Sequence, residues 1–243
     1  MHYDIVSFDL DGTLVDTASE IAEAANRALE SHGIARRPAS EVTALIGAGT
    51  RELMIKLLGR VMIEQPHLAE RVRPDQVLAS MDEHYALTTG TSSVPYPGAR
   101  EALRLLKAAG VKLACVTNKE QRHAERLLRA HRLWDQFDLL IGGDSLSVKK
   151  PDPGVLRHVV KQLGGHADRC GHVGDSRIDV EAARNAGVTA WAVPYGYNAG
   201  QPIEDARPAR LFRSLDELAH FVIAGRSCAP DGSPAAKHLS SSS

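Results

Sequence analysis

Carboxylates spaced two and four residues apart are the first candidates for chemistry in this sequence. Asp9 and Asp11 flank Leu10 and are followed by Gly12 and Thr13. In extended backbone, residues two apart point to the same side. One carboxylate can then attack while its neighbour handles protons. Gly12 lets the chain turn sharply away. An isolated Asp-x-Asp-Gly also serves as an ordinary turn or helix cap, so the spacing alone decides nothing. Asp175 and Asp179 are four apart, with Asp175 at the entrance of an expected helix. Such a pair can face one cation from a single helical turn, and hard oxygen ligands with solvent left in the shell suit Mg²⁺. The plainer alternative is N-capping by Asp175 or Ser176, with Asp179 solvated. Thr117 would offer a hydroxyl to a phosphate oxygen, with the Asn118 backbone amide beside it. Lys150 would neutralise both an attacking carboxylate and a phosphate.

These residues matter because of the elements expected to carry them. Ile5-Val6-Ser7-Phe8 predicts a short buried strand ending at Asp9. From Thr17 to about Leu87 the apolar residues recur at helical spacing, as in Ile21, Ala24, Ala25, Ala28 and Leu29. Turns near Gly33, Pro38, Gly47 to Gly49 and Gln65-Pro66 divide this stretch, and it shows no convincing strand. After Pro95-Tyr96-Pro97-Gly98 the rhythm changes. Helices are expected over 99–109, 120–130, from Pro153 onward, over 178–186 and over 215–223. Strands are expected over 111–116, 139–141, 170–173 and 188–193. Strands alternating with helices imply an α/β fold with a parallel sheet and helices on both faces. The expected organisation is a core from residues 1–15 and 90–226, a helical insert at 16–89, and a disordered Ser-, Ala-, Pro- and Gly-rich tail at 227–243. In such a sheet, sites form beyond the carboxyl ends of the strands. Asp9, Thr117 and Asp175 each follow an expected strand, with Lys150 in a loop between them.

Bulk properties narrow the function. The formal net charge is −1 and there is no long basic run, which gives no argument for nucleic-acid binding. No stretch of eighteen apolar residues suggests a membrane span, and the N-terminus lacks the pattern of a signal peptide. The three cysteines, Cys115, Cys170 and Cys228, show no metal-type spacing. Cys115 and Cys170 read as small buried hydrophobes, and the whole suggests a reducing cytoplasm. Composition leaves the oligomeric state open.

Four ordered segments resemble the motifs of the haloacid dehalogenase superfamily. They are Asp9-Leu10-Asp11-Gly12-Thr13-Leu14-Val15-Asp16, Val116-Thr117-Asn118-Lys119, Lys150-Pro151, and Gly174-Asp175-Ser176-Arg177-Ile178-Asp179. Within it the chain looks most like the bacterial phosphoglycolate phosphatases, through Ile141-Gly142-Gly143-Asp144, Lys149-Lys150-Pro151, Tyr195-Gly196-Tyr197-Asn198 and Ile46-Gly47-Ala48-Gly49 with Leu53-Met54. The resemblance implies a Rossmann-like core with the helical insert as a mobile cap. It also implies a small phosphorylated metabolite as partner, with 2-phosphoglycolate as the expected substrate. Asp9 would be nucleophile and Mg²⁺ ligand. Asp11 would be general acid and then general base, with its carbonyl on the metal. Thr117, Asn118 and Lys150 would hold phosphate. Asp175 would bind Mg²⁺, and Asp179 would bind it directly or through water. The cap loop from Gly47 through Ala48 and Gly49 to Arg51 would help select substrate.

Dehalogenases lack the second acid of the first motif, so Asp11 argues against dehalogenation. Many relatives carry a polar residue where this chain has Ala48. Arg51 is then a candidate for a substrate carboxylate, since an Arg fork suits that group, although a solvent-facing Arg in a helix's first turns fits equally. The rival readings are a phosphomutase of the same superfamily, against which Thr13 argues, a non-catalytic binding protein on this fold, and a phospho-acceptor signalling domain. Signalling domains of that kind are about half this length and lack the insert.

Overall fold

The computed structural model describes residues 2–227. The chain enters strand β1 (Ile5–Phe8), turns through Asp9 to Leu14, and leaves on β2 (Val15–Asp16). Four helices follow: α1 (Ala18–Ser31), α2 (Ala39–Thr43), α3 (Thr50–Glu64) and α4 (Pro74–Thr88). Strand β3 (Val94–Pro95) returns the chain to α5 (Ala99–Ala108), β4 (Lys112–Val116), α6 (Gln121–Ala130), β5 (Leu139–Ile141) and α7 (Pro153–Gln162). The rest is β6 (Cys170–Gly174), α8 (Arg177–Ala186), β7 (Thr189–Ala192), β8 (Arg210–Leu211) and α9 (Leu215–Ser227). The last helix runs past the expected end at 223. Of the tail expected to be disordered, Ser227 closes α9, and residues 228–243, with Cys228, lie outside the described residues.

Six strands pair in the order β5-β4-β1-β6-β7-β8, every pair parallel. Alternation along the strands sends neighbouring side chains to opposite faces. Val6, Phe8, Leu113, Cys115 and Val173 pack with Leu103, Leu127 and Leu218 from α5, α6 and α9. Ile5, Ala114, Val116 and Cys170 pack with Leu156 and Ala183 from α7 and α8. A fully buried Val, Leu or Phe contributes about 1.5–3 kcal/mol, so the sheet is clamped from both sides. This is the α/β core with a parallel sheet that the alternation predicted, and it is Rossmann-like, as the resemblance implies.

The four helices of the insert have their own apolar cluster, which draws on residues between Ile21 and Tyr85. The outgoing and returning chains run side by side as β2 and β3, an antiparallel pair with Val15 opposite Pro95. Two-residue strands carry too little periodicity to be seen in sequence, so neither this pair nor β8 has a local signal there. At the same junction the fully buried Glu20 of α1 accepts hydrogen bonds from the backbone N–H groups of Gly90 at 2.9 Å and Ser93 at 3.3 Å. It thereby ties the start of the insert to its end.

Candidate active site

β1 is central, with β4 and β6 as its neighbours, Phe8 lying opposite both Cys115 and Val173. One or two residues beyond these partners, Asp9, Thr117 and Asp175 emerge at the same edge. The Asp9 N–H donates to Val173 O at 2.9 Å, and the Thr117 N–H donates to Ile141 O at 2.9 Å, which holds both residues at the sheet's end. Gly12 then has φ of +84°, and a Cβ there would lie 2.4 Å from Asp175 Oδ2. Only glycine meets both demands. The same Asp175 oxygen accepts from the Tyr197 N–H at 2.5 Å. The Tyr197 hydroxyl accepts from Thr17 and Ala18 N–H groups at the entrance of α1 and donates to Asp16.

Carboxylate oxygens of Asp9, Asp175 and Asp179 lie within 4.8 Å of one another, all three residues buried. Lys150, also buried, gives its three N–H groups to Asp9 Oδ1 at 2.7 Å, Asp179 Oδ1 at 2.6 Å and Val116 O at 2.6 Å. Asp179 is saturated. Lys150 and His172 approach Oδ1, the latter at 3.3 Å, while the Ser176 N–H and hydroxyl donate to Oδ2 at 3.2 and 2.5 Å. Asp179 is therefore not the solvated side chain of the capping alternative, although Ser176 does cap α8.

Burial pushes the Asp9 carboxyl up to about 7 despite Lys150, with Asp179 and Asp11 adding repulsion. Burial likewise raises Asp175 well above the usual carboxylate range, with Asp179 and Asp9 contributing. For Asp179 burial also opposes ionisation, but Lys150 and His172 outweigh it and hold the group below its ordinary value. Burial would lower Lys150, yet Asp179 and Asp9 hold it high. Among the described residues, one ammonium stands against three buried carboxylates, which leaves negative charge uncompensated. A hard divalent cation would offset that charge, and oxygen-only donors suit Mg²⁺.

The Asp11 side chain points elsewhere. Its Oδ1 accepts from the Thr17 hydroxyl at 2.6 Å and pairs with Lys119 Nζ at 2.9 Å. Its carboxylate is thus outside the three-aspartate cluster, although Asp11 lines one cavity with Asp9. In the sequence Lys119 closes the Val116-Thr117-Asn118-Lys119 segment, and nothing there gives it a role of its own. The fold buries it. Its ammonium donates to the Tyr85 hydroxyl, from α4, and lies 4.6 Å from that ring's centre. Burial would lower Lys119, but Asp11 and Tyr85 hold it above its usual range.

The insert roofs the cavity with Ile21, Ile46, Gly47, Gly49, Thr50 and Leu53, facing Thr117, Asn118 and Lys119. The Asn118 carboxamide donates to Gly47 O at 3.0 Å and Lys150 O at 2.9 Å, so it fastens the roof loop to the Lys150 loop. Lys149 Nζ adds a bond of 2.9 Å to Ala48 O. Gly49, with φ of +98°, sits where a Cβ would be 2.7 Å from Asn118 O. Arg51 is exposed and lines a separate groove with Asp75, Asp82, Glu120 and Arg122. It takes the solvent-facing position of a helix's first turn, not the cavity wall.

A phosphoglycolate phosphatase of Nitrosospira multiformis is 38% identical over 228 residues, which span 91% of this chain and 98% of that protein. One from Cupriavidus necator is 42% identical over 222 residues, 91% of this chain and 94% of that protein. A crystal structure described as a predicted phosphoglycolate phosphatase, from Haemophilus somnus, superposes with a TM-score of 0.84 at 29% identity, covering 91% of this chain and 98% of that one. The family model described as haloacid dehalogenase-like hydrolase matches residues 3–187. On this match and these relatives, the chain belongs to the haloacid dehalogenase-like hydrolase family.

Proposed function

We propose that this hydrolase is a Mg²⁺-dependent phosphomonoesterase that converts 2-phosphoglycolate to glycolate and phosphate through an aspartyl-phosphate on Asp9, working in the cytoplasm. The observation that carries the reading is the single edge where Asp9, Asp175, Asp179 and Lys150 meet, with Asp11 lining the same cavity as Asp9. The names of the relatives support the choice of substrate.

Asp9 and Asp175 would hold Mg²⁺ with their carboxylates, and Asp11 through its backbone carbonyl. Asp179, with both oxygens already engaged, would act on the ion through water while anchoring Lys150. When bound, Mg²⁺ supplies positive charge to the carboxylate and to the phosphate oxygens. A unit-charge pair at about 4 Å is worth roughly 4 kcal/mol at an effective dielectric near 20, so a carboxylate nears a phosphate dianion only where cations offset the repulsion. Lys150 supplies part of that charge from its place against Asp9. Thr117 and Asn118 position the phosphate. Asp9 attacks phosphorus in line, and the bond to the ester oxygen breaks. Asp11 protonates the leaving alkoxide. It then takes a proton from water, which attacks the acyl phosphate and frees Asp9. The helical insert acts as a cap, and its Gly47 to Gly49 loop shields the first step from bulk water.

A phosphate-release screen over small phosphomonoesters, with and without Mg²⁺, tests this. The expected result is Mg²⁺-dependent release with the highest kcat/KM for 2-phosphoglycolate. Equal rates across the panel would reject the substrate assignment. Return of phosphate to the substrate without net release would reveal a mutase.

A further inference from the structure

We propose that Lys119 binds the carboxylate on the substrate's leaving group, restricting the site to small phosphate esters with a second anion near the ester oxygen. The inference rests on the phosphatase reading above and names the residue that senses the substrate's second charge.

Position is the first argument. Lys119 lines the cavity with Asp9 and Asp11, and its Nζ is 2.9 Å from Asp11 Oδ1. Asp11 is the side chain that meets the ester oxygen in the proposed reaction. A cation beside Asp11 therefore lies beside whatever group that oxygen carries. In an ester with one methylene between oxygen and carboxylate, the anion comes within a few bonds of the same point.

Hydrogen-bonding capacity is the second. An ammonium has three N–H donors. Lys150 commits all three, to Asp9, Asp179 and Val116 O. Lys119 commits two, to Asp11 and the Tyr85 hydroxyl, which leaves one for a ligand. Tyr85 comes from the insert and Asp11 from the core, so the ammonium is held from both sides and does not have to be ordered on binding.

The third is the character of the remaining wall. Among the described residues lining this cavity, Lys119 is the only cationic side chain. Ile21, Ile46 and Leu53 are apolar, and the Thr50 hydroxyl is committed to Glu120 at 2.7 and 2.8 Å. A polyhydroxylated sugar would leave its hydroxyls against hydrocarbon, at the cost of unmet hydrogen bonds. A short carboxylate finds one charged donor and otherwise only needs to fit. Arg51, the cation that sequence suggested for this task, lies in the neighbouring groove.

The test compares two substrates of nearly the same shape in wild type and Lys119→Gln. One is 2-phosphoglycolate. The other is 2-hydroxyethyl phosphate, in which CH₂OH replaces the carboxylate. Any effect of the substitution on Asp11 lowers turnover of both and cancels in the ratio. Loss of a charge-assisted hydrogen bond should cut the preference for 2-phosphoglycolate by roughly 10- to 100-fold. A second arm needs no turnover. Inhibitor-style binding of 3-phosphonopropionate and propylphosphonate to the Mg²⁺-loaded protein is measured by calorimetry. Lys119→Gln should weaken the first by a similar factor and leave the second unchanged. An equal loss for both members of either pair overturns the assignment of Lys119. A wild-type protein that hydrolyses no phosphomonoester overturns the phosphatase reading instead, and the phosphonate pair still decides Lys119.

Discussion

Replacing Lys150 by Met keeps a side chain of similar length and removes an ammonium from inside the aspartate cluster. The Nζ lies 2.7 Å from Asp9 and 2.6 Å from Asp179, and Lys150 is only 3% exposed. At such separations each pair is worth about 6 kcal/mol at an effective dielectric near 20. Desolvation of the three groups offsets much of that, and breaking a buried pair by removing one partner costs about 3–5 kcal/mol. For a chain of this size, 1 kcal/mol shifts Tm by about 2–4 °C, so Lys150→Met should melt roughly 6–20 °C below wild type in EDTA. Saturating Mg²⁺ should narrow the gap, because the cation offsets the same carboxylate charge. The pH dependence has a defined sign. Lys150 helps hold Asp179 below its ordinary value, which is stability present above the unfolded carboxylate pKa of about 4 and lost as pH falls below it. The difference between wild type and variant should therefore be widest near neutrality and shrink below pH of about 4. Thermal unfolding followed by circular dichroism, in EDTA and in Mg²⁺ across pH, reads all of this. Phosphate release should fall at least 100-fold in parallel. A variant that melts with wild type in EDTA at pH 7 would show that these carboxylates do not depend on Lys150, and the electrostatic account would be wrong.

Asp9→Asn should abolish phosphate release while leaving the circular dichroism spectrum unchanged, and an active variant would remove Asp9 from the nucleophile's role. Gly12→Ala should cost about 1–3 kcal/mol for the positive φ alone and weaken Mg²⁺ binding as well, since its Cβ would lie 2.4 Å from Asp175 Oδ2. Urea unfolding and Mg²⁺ titration report the two effects, and wild-type Mg²⁺ affinity in this variant would contradict the packing argument. With Asp9 raised to about 7 and Asp175 also raised, protons compete with Mg²⁺. Its affinity, measured by calorimetry, should weaken below pH of about 7 by up to about tenfold per pH unit for each proton that the cation displaces. The sign for stability follows from the same shift. Without metal, the contribution of Asp9 is fully present below its unfolded pKa and is lost as pH rises through about 7. Mg²⁺ should therefore raise Tm more at pH 8 than at pH 6, and equal stabilisation at both would refute the coupling.

Much of the core was legible because its signals are local. β1, β5 and α5 to α8 announce themselves through apolar runs, helical spacing and stop residues such as Gly110 and Gly187, whose φ angles of +75° and +74° suit glycine. Asp9, Thr117 and Asp175 could be placed at one edge from sequence, because parallel strands present their carboxyl ends together. Residues whose role depends on what packs against them were not legible. Lys119 looks like any lysine after a strand until Tyr85 from α4 and Asp11 from the β1 turn close over it. Glu20 looks like a surface helix residue until the returning chain brings Gly90 and Ser93 to it.

By itself, then, the sequence determined the alternation of strands and helices, the separate helical stretch and the order of the acidic motifs, all of which follow from short-range backbone preference and periodicity. Tertiary structure alone decided that Asp11 turns toward Lys119 and away from the aspartate cluster, that Asp179 is saturated by Lys150, His172 and Ser176, and that Arg51 faces a different groove. The physical reason is that side-chain direction and burial are set by register between segments as far apart as residues 9 and 179, and no local pattern encodes that register.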